Sequence, residues 1–483
     1  MNKVNYEKSF ILLFFMLFFY VFYTLYAIYS SNVILADDLS ILYSSKDIHQ
    51  NYFEYIISYI DSSTMSARPV SGFITGTIAF FSKNNNQIYF LGLLFFPLSI
   101  FTIYFVLSKI LSKEVACLII LFYAVSIIGT SIQFSPIMLN SNVATIFYVL
   151  SIYFIVVKKN LVLSSLLFIL SILSYEIFFM GILINILLIK ENKKKIIYAL
   201  LTLGLLFFYR KFAQVYFFTN SYQRDSVSSI FDMQRNFKII IWSGKMIFRD
   251  YFVAIYRSFI NIGKINVFEW AIALLISYGV FNLLKSFDFH LNSKKLKKVA
   301  MVTFCGFIFS FGIFVFSTYM PTLFGFENRN LGAVRLFLTT SAICFLLYFL
   351  GQTKVKKNGI ALVFSISSLV LMISNLGVKN SWIYANDFNN NIFKTIKVEL
   401  DNNKIDKGVI CVDFDIYNEI ENNNNFILRE PVFFNNWENK ELSFRNGINP
   451  ENIIIYNWER RKNGDYQVFI RKNKVTLKKL NSL

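Results

Sequence analysis

The sequence predicts an α-helical polytopic membrane protein of about eleven transmembrane helices, with a small extracytoplasmic α/β domain at its C-terminal end. Three observations predict it. Hydrophobic residues fill 55% of the 483 positions against 16% charged, whereas soluble domains carry roughly 25% charged residues. The mean hydropathy is +0.50. Apolar runs alternate with short lysine clusters, as expected when a chain crosses a bilayer and leaves its cations in the cytoplasm. A soluble enzyme, a coiled coil and a disordered scaffold are thereby excluded. The net charge of +19 is spread between apolar runs rather than gathered on one face, so it reads as topogenic charge and not as a nucleic-acid footprint.

The first run, residues 9–29, follows Lys3 and Lys8. Its apolar core outruns the roughly 7–15 residues of a signal-peptide core, so it is expected to remain as an anchor. Further spans are expected near 87–108, 115–132, 143–157, 161–176, 177–189, 196–210, 266–284, 299–318, 335–351 and 359–376. Between them fall Lys109 and Lys113, then Lys158 and Lys159, then Lys190 with Lys193, Lys194 and Lys195, then Lys285 with Lys294, Lys295, Lys297 and Lys298, and finally Lys354, Lys356 and Lys357. These clusters fall on alternate connections. They place the N terminus in the cytoplasm and, with an odd span count, the C terminus outside the plasma (inner) membrane.

Residues 69–81 are apolar but too short to span, and read as an interfacial or re-entrant piece on the outer face. Residues 238–262 mix aromatics with Lys245, Arg249 and Arg257 and read as a helix lying in the interface. The expected organisation is a transmembrane domain over 1–376, with outer loops at 30–86 and 211–265, followed by an outer domain over 377–483. That tail holds strand-like runs at Val409–Phe414, Ile453–Trp458 and Tyr466–Arg471, with Asn463-Gly464-Asp465 as a hairpin turn between the last two.

Chemistry-bearing residues concentrate in the outer segments. Asp37 and Asp38 follow the first span by a few residues, which holds two acids at the outer membrane surface. Either could cap a helix through Leu39–Ser45. A carboxylate fixed there could equally act as a general base toward a hydroxyl, or hold a divalent cation beside a phosphate. Arg68 precedes Pro69 at the start of the short apolar piece, suited either to snorkelling or to gripping a phosphate with its planar fork. Glu176 sits at the outer end of an apolar hairpin, where an ionisable group is a functional candidate by default. Glu327, Arg329 and Arg335 lie in an outer loop, against the charge bias. The loops Gln133–Asn142 and Tyr222–Arg235, the second with Arg224, Asp225, Asp232 and Arg235, are polar and carry no recognisable motif.

Four cysteines and two histidines offer no disulfide framework or histidine zinc site. No GxxxxGK[ST], GxSxG or HExxH motif occurs, which removes support for nucleotide hydrolysis, serine hydrolysis and zinc proteolysis. The cytoplasmic connections are too short for a nucleotide-sugar domain.

A basic N terminus, one span, an outer loop opening with Asp37-Asp38, Arg68-Pro69 before the next apolar piece, many further spans and an outer tail together resemble the polytopic GT-C glycosyltransferases. Within these, the chain looks most like the bacterial serotype-converting glucosyltransferases (type II), whose first loop carries a comparable DD and RP pair. The resemblance covers the architecture of the whole chain and the motifs of residues 36–70. It implies a membrane glycosyltransferase taking a sugar, such as glucose, from a polyprenyl-phosphate donor to an envelope glycan or lipid-linked acceptor on the outer face, in the setting of O-antigen or lipopolysaccharide synthesis. It further implies Asp37 as general base or metal ligand with Asp38 as its partner, and Arg68, Arg329 and Arg335 as groups for the leaving polyprenyl phosphate. Arg329 and Arg335 are offered on charge and side of the membrane, and Glu176 has no matched role. Because adjacent residues do not share a helix face, one acid is expected to enter the site and the other to lie behind it. Cofactor use stays open, a divalent cation included. An O-antigen or polysaccharide polymerase, a lipid-linked sugar transporter and a non-catalytic membrane scaffold are the competing readings. The polymerase fits the Arg-rich 210–257 region at least as well but does not predict the early acid pair. The transporter is opposed by charges at span ends rather than mid-span and by the lack of two-half symmetry.

Overall fold

The structure, a computed structural model, describes residues 3–62, 64–218, 232–287, 293–352, 357–413, 420–432, 436–457, 464–471 and 474–479. Arg224, Asp225, Lys354, Lys356, Phe414, Trp458 and Asn463, named above, lie outside these. The described chain is mostly helical, and eight helices are long and apolar enough to cross a membrane: Phe10–Ser30, Asn86–Ile110, Pro136–Val156, Asn192–Phe217, Val267–Lys285, Ser293–Val315, Phe326–Gln352 and Lys357–Asn402. This is the make-up of a multi-pass helical membrane protein. Its surface agrees: large apolar side chains such as Phe15, Phe212 and Phe248 are exposed along these and neighbouring helices, a surface suited to lipid. The interior instead carries small hydroxylic residues that bond across helix contacts, such as Ser171 to the Ala144 carbonyl (2.7 Å) and Ser165 to Thr202 (2.6 Å), the packing expected where lipid supplies no hydrophobic drive between helices.

Three of the eleven expected spans are shorter than that length. They are Lys113–Ala124, Leu161–Ser174 and Gly181–Leu188, of 12, 14 and 8 residues. Their ends are local. Ser112 and Asn160 cap the first two, and extended backbone at Tyr175 and Ile189 stops the second and third. Pro69–Ser82 is a 14-residue helix that packs against the amphipathic helix Tyr52–Ile60, and the pair exposes Phe53, Ile57, Phe73 and Phe81. Residues expected in the interface form helices Met233–Lys245 and Tyr251–Ile260 joined by a π-turn at Met246–Asp250.

The expected domain boundary at Gly377 falls inside a helix. Helix Lys357–Asn402 runs through it for 46 residues, about 69 Å, against a hydrocarbon core of about 30 Å. Polarity rises after Gly377, but Trp382, Ile392, Phe393 and Ile396 keep a buried stripe, so the helix continues on tertiary packing. Beyond it lies a four-stranded sheet of order β2-β1-β3-β4, with β1 Gly408–Asp413, β2 Ile453–Asn457, β3 Tyr466–Arg471 and β4 Lys474–Lys479. β1 pairs parallel with both β2 and β3, and β3 antiparallel with β4. The expected hairpin between β2 and β3 is therefore wrong, because β1 lies between them. Asp465 is spent on the β1 edge, its carboxylate accepting from the Val409 N–H at 2.7 Å.

Candidate functional site

Asp37 opens helix Asp37–Lys46, and the residue before it, Ala36, has φ 54° and ψ −131°, a conformation that favours glycine and costs a side chain about 1–3 kcal/mol. That turn aims the two acids in different directions. Successive helical residues diverge by about 100°, and here one acid is 44% exposed while the other is fully buried.

Asp38 is a clamp. One carboxylate oxygen accepts from the Tyr89 hydroxyl (2.7 Å) and the Ile137 N–H (2.8 Å), the other from the Ser135 hydroxyl (2.6 Å). It thereby fixes the helix onto two other segments, and burial pushes its pKa up to about 7 against those three donors. Its oxygens are committed to protein groups, so its placement is that of a structural residue and not of a partner in acid–base chemistry.

Asp37 faces the other way, onto a chain of charged and aromatic groups. Its carboxylate bonds the Arg329 guanidinium, which also lies 3.7 Å from Glu327 and 4.5 Å over the Phe326 ring. The Arg329 Nε is buried and has no partner among the described residues. Asn330, next along, bonds Glu327 (3.3 Å) and accepts from the Tyr175 hydroxyl at 2.7 Å. The face of Tyr175 carries the Arg68 guanidinium at 4.5 Å. Arg68 is in turn held by Glu176 at 2.7 Å, and the second Glu176 oxygen takes Arg210 at 3.0 Å.

Besides helix Asp37–Lys46, four separate elements deliver these groups to one end of the helical body. Arg68 precedes the first turn of Pro69–Ser82, Glu176 follows the end of Leu161–Ser174, Arg329 lies in the 3₁₀ turn Phe326–Leu331, and Arg210 sits in a π-turn, Tyr209–Ala213, inside a long helix. Helix Pro69–Ser82 is pinned in place by Ser71 to the Ser174 carbonyl (2.6 Å) and Thr75 to Asn140 (2.9 Å). The Tyr209 hydroxyl bonds the Ser66 carbonyl at 2.7 Å, which ties the π-turn to the Arg68 loop.

Of the residues singled out from sequence, Asp37, Arg68, Glu176 and Arg329 are brought together. Arg335 is not, and its phosphate-binding assignment is corrected. It is fully buried, with its guanidinium donating to the carbonyls of Tyr123 (2.6 and 2.8 Å), Ala124 (3.1 Å) and Gly129 (3.1 Å). It closes the carbonyl end of helix Lys113–Ala124, the end of a helix that attracts cations. Arg210 and Tyr175 were missed. Arg210 carried a signal, an arginine at the edge of an apolar run, but nothing in the sequence says which loop it meets.

Three carboxylates (Asp37, Glu176, Glu327) face three guanidiniums (Arg68, Arg210, Arg329) in this constellation. Among the described residues no group of three or more His, Cys, Asp or Glu could hold a metal ion. No family model matches the chain, and comparison with characterised proteins and with solved structures finds no match either.

Proposed function

We propose that the chain is a membrane glycosyltransferase of the GT-C kind, moving a sugar from a polyprenyl-phosphate donor to an envelope glycan or lipid-linked acceptor, with Asp37 as general base. The observation that carries this reading is the half-exposed carboxylate of Asp37 held beside Arg329, with Arg68 and Arg210 close by at the same end of the helical body. Such a set can take a proton from a hydroxyl and offset charge on a departing phosphate.

In the resting arrangement each guanidinium is satisfied by a carboxylate, so an arriving phosphate must compete for one. Arg329 is the one suited to exchange, since its Nε is unpartnered and Glu327 stands by. As Arg329 turns to the donor phosphate, the Asp37 carboxylate is released to meet the acceptor hydroxyl. The acceptor oxygen then attacks the anomeric carbon while its proton passes to Asp37, and the carbon–oxygen bond to phosphate breaks with its electron pair leaving on the phosphate. A single displacement of this kind inverts the anomeric configuration.

The topology that this needs follows the lysine pattern and not helix length. Segments 115–132, 161–176 and 177–189, which extend past their short helices, are taken as crossings and Pro69–Ser82 is not, which makes eleven and sends the chain back and forth in strict alternation. The lysine-rich connections then fall at the end opposite Asp37, consistent with a cytoplasmic N terminus and an outer site. The test is the structure of the envelope polysaccharide from cells making the wild type, Asp37→Asn or no protein, at matched membrane levels. Loss of one sugar substituent from chains of normal length, in the variant as in the null, is expected. Shortened chains with an unchanged repeat unit would point to a polymerase, and an unaltered glycan in Asp37→Asn would remove the base.

A further inference from the structure

A cleft lies on the other flank of helix Asp37–Lys46, away from Arg329. It measures about 640 Å³ and opens between the C-terminal half of that helix, the turn 83–86 and the segment 449–451. A second cleft of about 600 Å³ shares Asn85 and Asn86 with it and reaches Tyr29 and Asn32 at the end of the first membrane helix. The first cleft, a groove, adjoins the second at Asn85 and Asn86, near where two spans, Phe10–Ser30 and Asn86–Ile110, end and begin. Its wall joins three regions far apart in sequence, held by Tyr43 to Glu451 (2.9 Å) and Lys46 to Glu441 (2.5 Å).

The lining chemistry selects a ligand class. Asn84 and Asn86 present amides able to donate and accept at once, as vicinal hydroxyls require, while Asn85 and Asn449, whose oxygens accept from the N–H groups of Gln87 and Glu451, add N–H₂ donors. Tyr43 and the half-exposed ring of Phe444 supply aromatic surface for the apolar faces of pyranose rings. The charges are balanced, with Lys46 and Lys83 against Asp47 and Glu451. Lys46 is also spent on Glu441 and on the Phe444 ring at 3.8 Å, and Lys83, which lies 4.3 Å over the Phe80 ring, is outnumbered by Asp47 and Glu451, so the lining carries no net positive charge toward a phosphate. From these observations we infer that the groove binds a neutral oligosaccharide, as a remote subsite for the glycan that accepts the sugar. The assignment of this glycan as acceptor rests on the transferase reading above. Tyr43 and Lys46 lie six and nine residues beyond Asp37, about 9–14 Å along the helix axis, so the occupant is longer than a single sugar.

The test uses the full chain in nanodiscs, with oligosaccharides of increasing length released from the envelope polysaccharide of the expressing cells as probe. Wild type, Asp37→Asn, Phe444→Trp and the triple variant Asn84→Ala/Asn86→Ala/Phe444→Ser are titrated by saturation-transfer NMR, and sugar transfer is measured in parallel. The substituted positions are at least partly exposed, and matched thermal unfolding checks the fold. Wild type, Asp37→Asn and Phe444→Trp should bind the longer probes alike, and the triple variant about tenfold more weakly, the loss expected from one or two modest contacts. Inorganic phosphate should not compete. Equal binding by the triple variant, no binding by the wild type, or displacement by phosphate would each overturn the groove. Transfer that proceeds while the triple variant binds as wild type sinks the groove alone. Groove-dependent binding with no transfer by the wild type sinks the transferase reading and leaves a glycan-binding groove standing.

Discussion

Asp37 and Asp38 are neighbours of the same chemistry, and their substitutions should fail in opposite ways. In Asp38→Ala the Tyr89 hydroxyl, the Ser135 hydroxyl and the Ile137 N–H all lose their acceptor inside the protein. At about 1–3 kcal/mol for each stranded donor, the loss is about 3–9 kcal/mol, a large part of a typical stability of about 5–15 kcal/mol. Asp38→Asn keeps an oxygen toward Tyr89 and Ile137 and turns an N–H₂ toward the Ser135 oxygen, so it should fold. Asp37→Asn removes an ion pair whose carboxylate is 44% exposed, worth at most about 1 kcal/mol, yet it deletes the proposed base, for a rate loss of about 10²–10⁴. The assay pairs thermal unfolding in detergent with transfer of labelled sugar from a polyprenyl-phosphate donor in proteoliposomes. The expected pattern is a stable, inactive Asp37→Asn, a stable, active Asp38→Asn, and an Asp38→Ala that unfolds early or does not accumulate. A stable Asp38→Ala would refute the clamp. A fully active Asp37→Asn would refute the base.

Four further outcomes follow from the geometry. Because burial raises Asp38 from 3.8 to about 7, its folded form holds a proton more tightly than the unfolded one; its contribution is complete below about pH 4 and is lost as pH rises toward 7, so an unfolding series over pH 4–8 should show a decline that Asp38→Asn flattens. Glu269 and Lys379 form an ion pair with both side chains almost wholly buried, so Glu269→Gln or Lys379→Met alone should cost about 3–5 kcal/mol and the double change less than their sum, as a double-mutant cycle would measure. A Cβ at Gly92 would stand 2.4 Å from the Pro136 carbonyl oxygen, and since the obstacle is backbone, Gly92→Ala should destabilise by about 1–3 kcal/mol in the same unfolding assay. Arg335→Leu strands the carbonyls of Tyr123, Ala124 and Gly129 and should lower stability by about 3 kcal/mol, while any folded fraction keeps its affinity for a polyprenyl-phosphate probe.

The solvent of each segment is a property of its own residues, and so composition alone determined that this is a helical membrane protein. Apolar runs marked where most helices lie, and Ser112, Asn160 and the Asn266 capping box with Glu269 mark their starts in plain sequence. Strand-like runs near 409, 453 and 466 likewise became strands. What the sequence left undecided were the relations between segments. Asp37 and Asp38 are indistinguishable along the chain; one helical step of about 100° places one against Arg329 and the other among Tyr89, Ser135 and Ile137. Arg329 and Arg335 share a loop in the sequence, but the helix starts between them, at Gly332, which leaves Arg329 beside Asp37 and carries Arg335 inside to the carbonyl end of another helix. Gly377 marks a change of polarity and no change of conformation, because packing on residues past 420 supports the helix beyond it. Strand order, too, was decided only in three dimensions, where β1 pairs with both β2 and β3 and so lies between them. Local sequence sets the solvation of a residue, whereas the partner that gives an acid or an arginine its role comes from 30 to 300 positions away and is selected only when the helices pack.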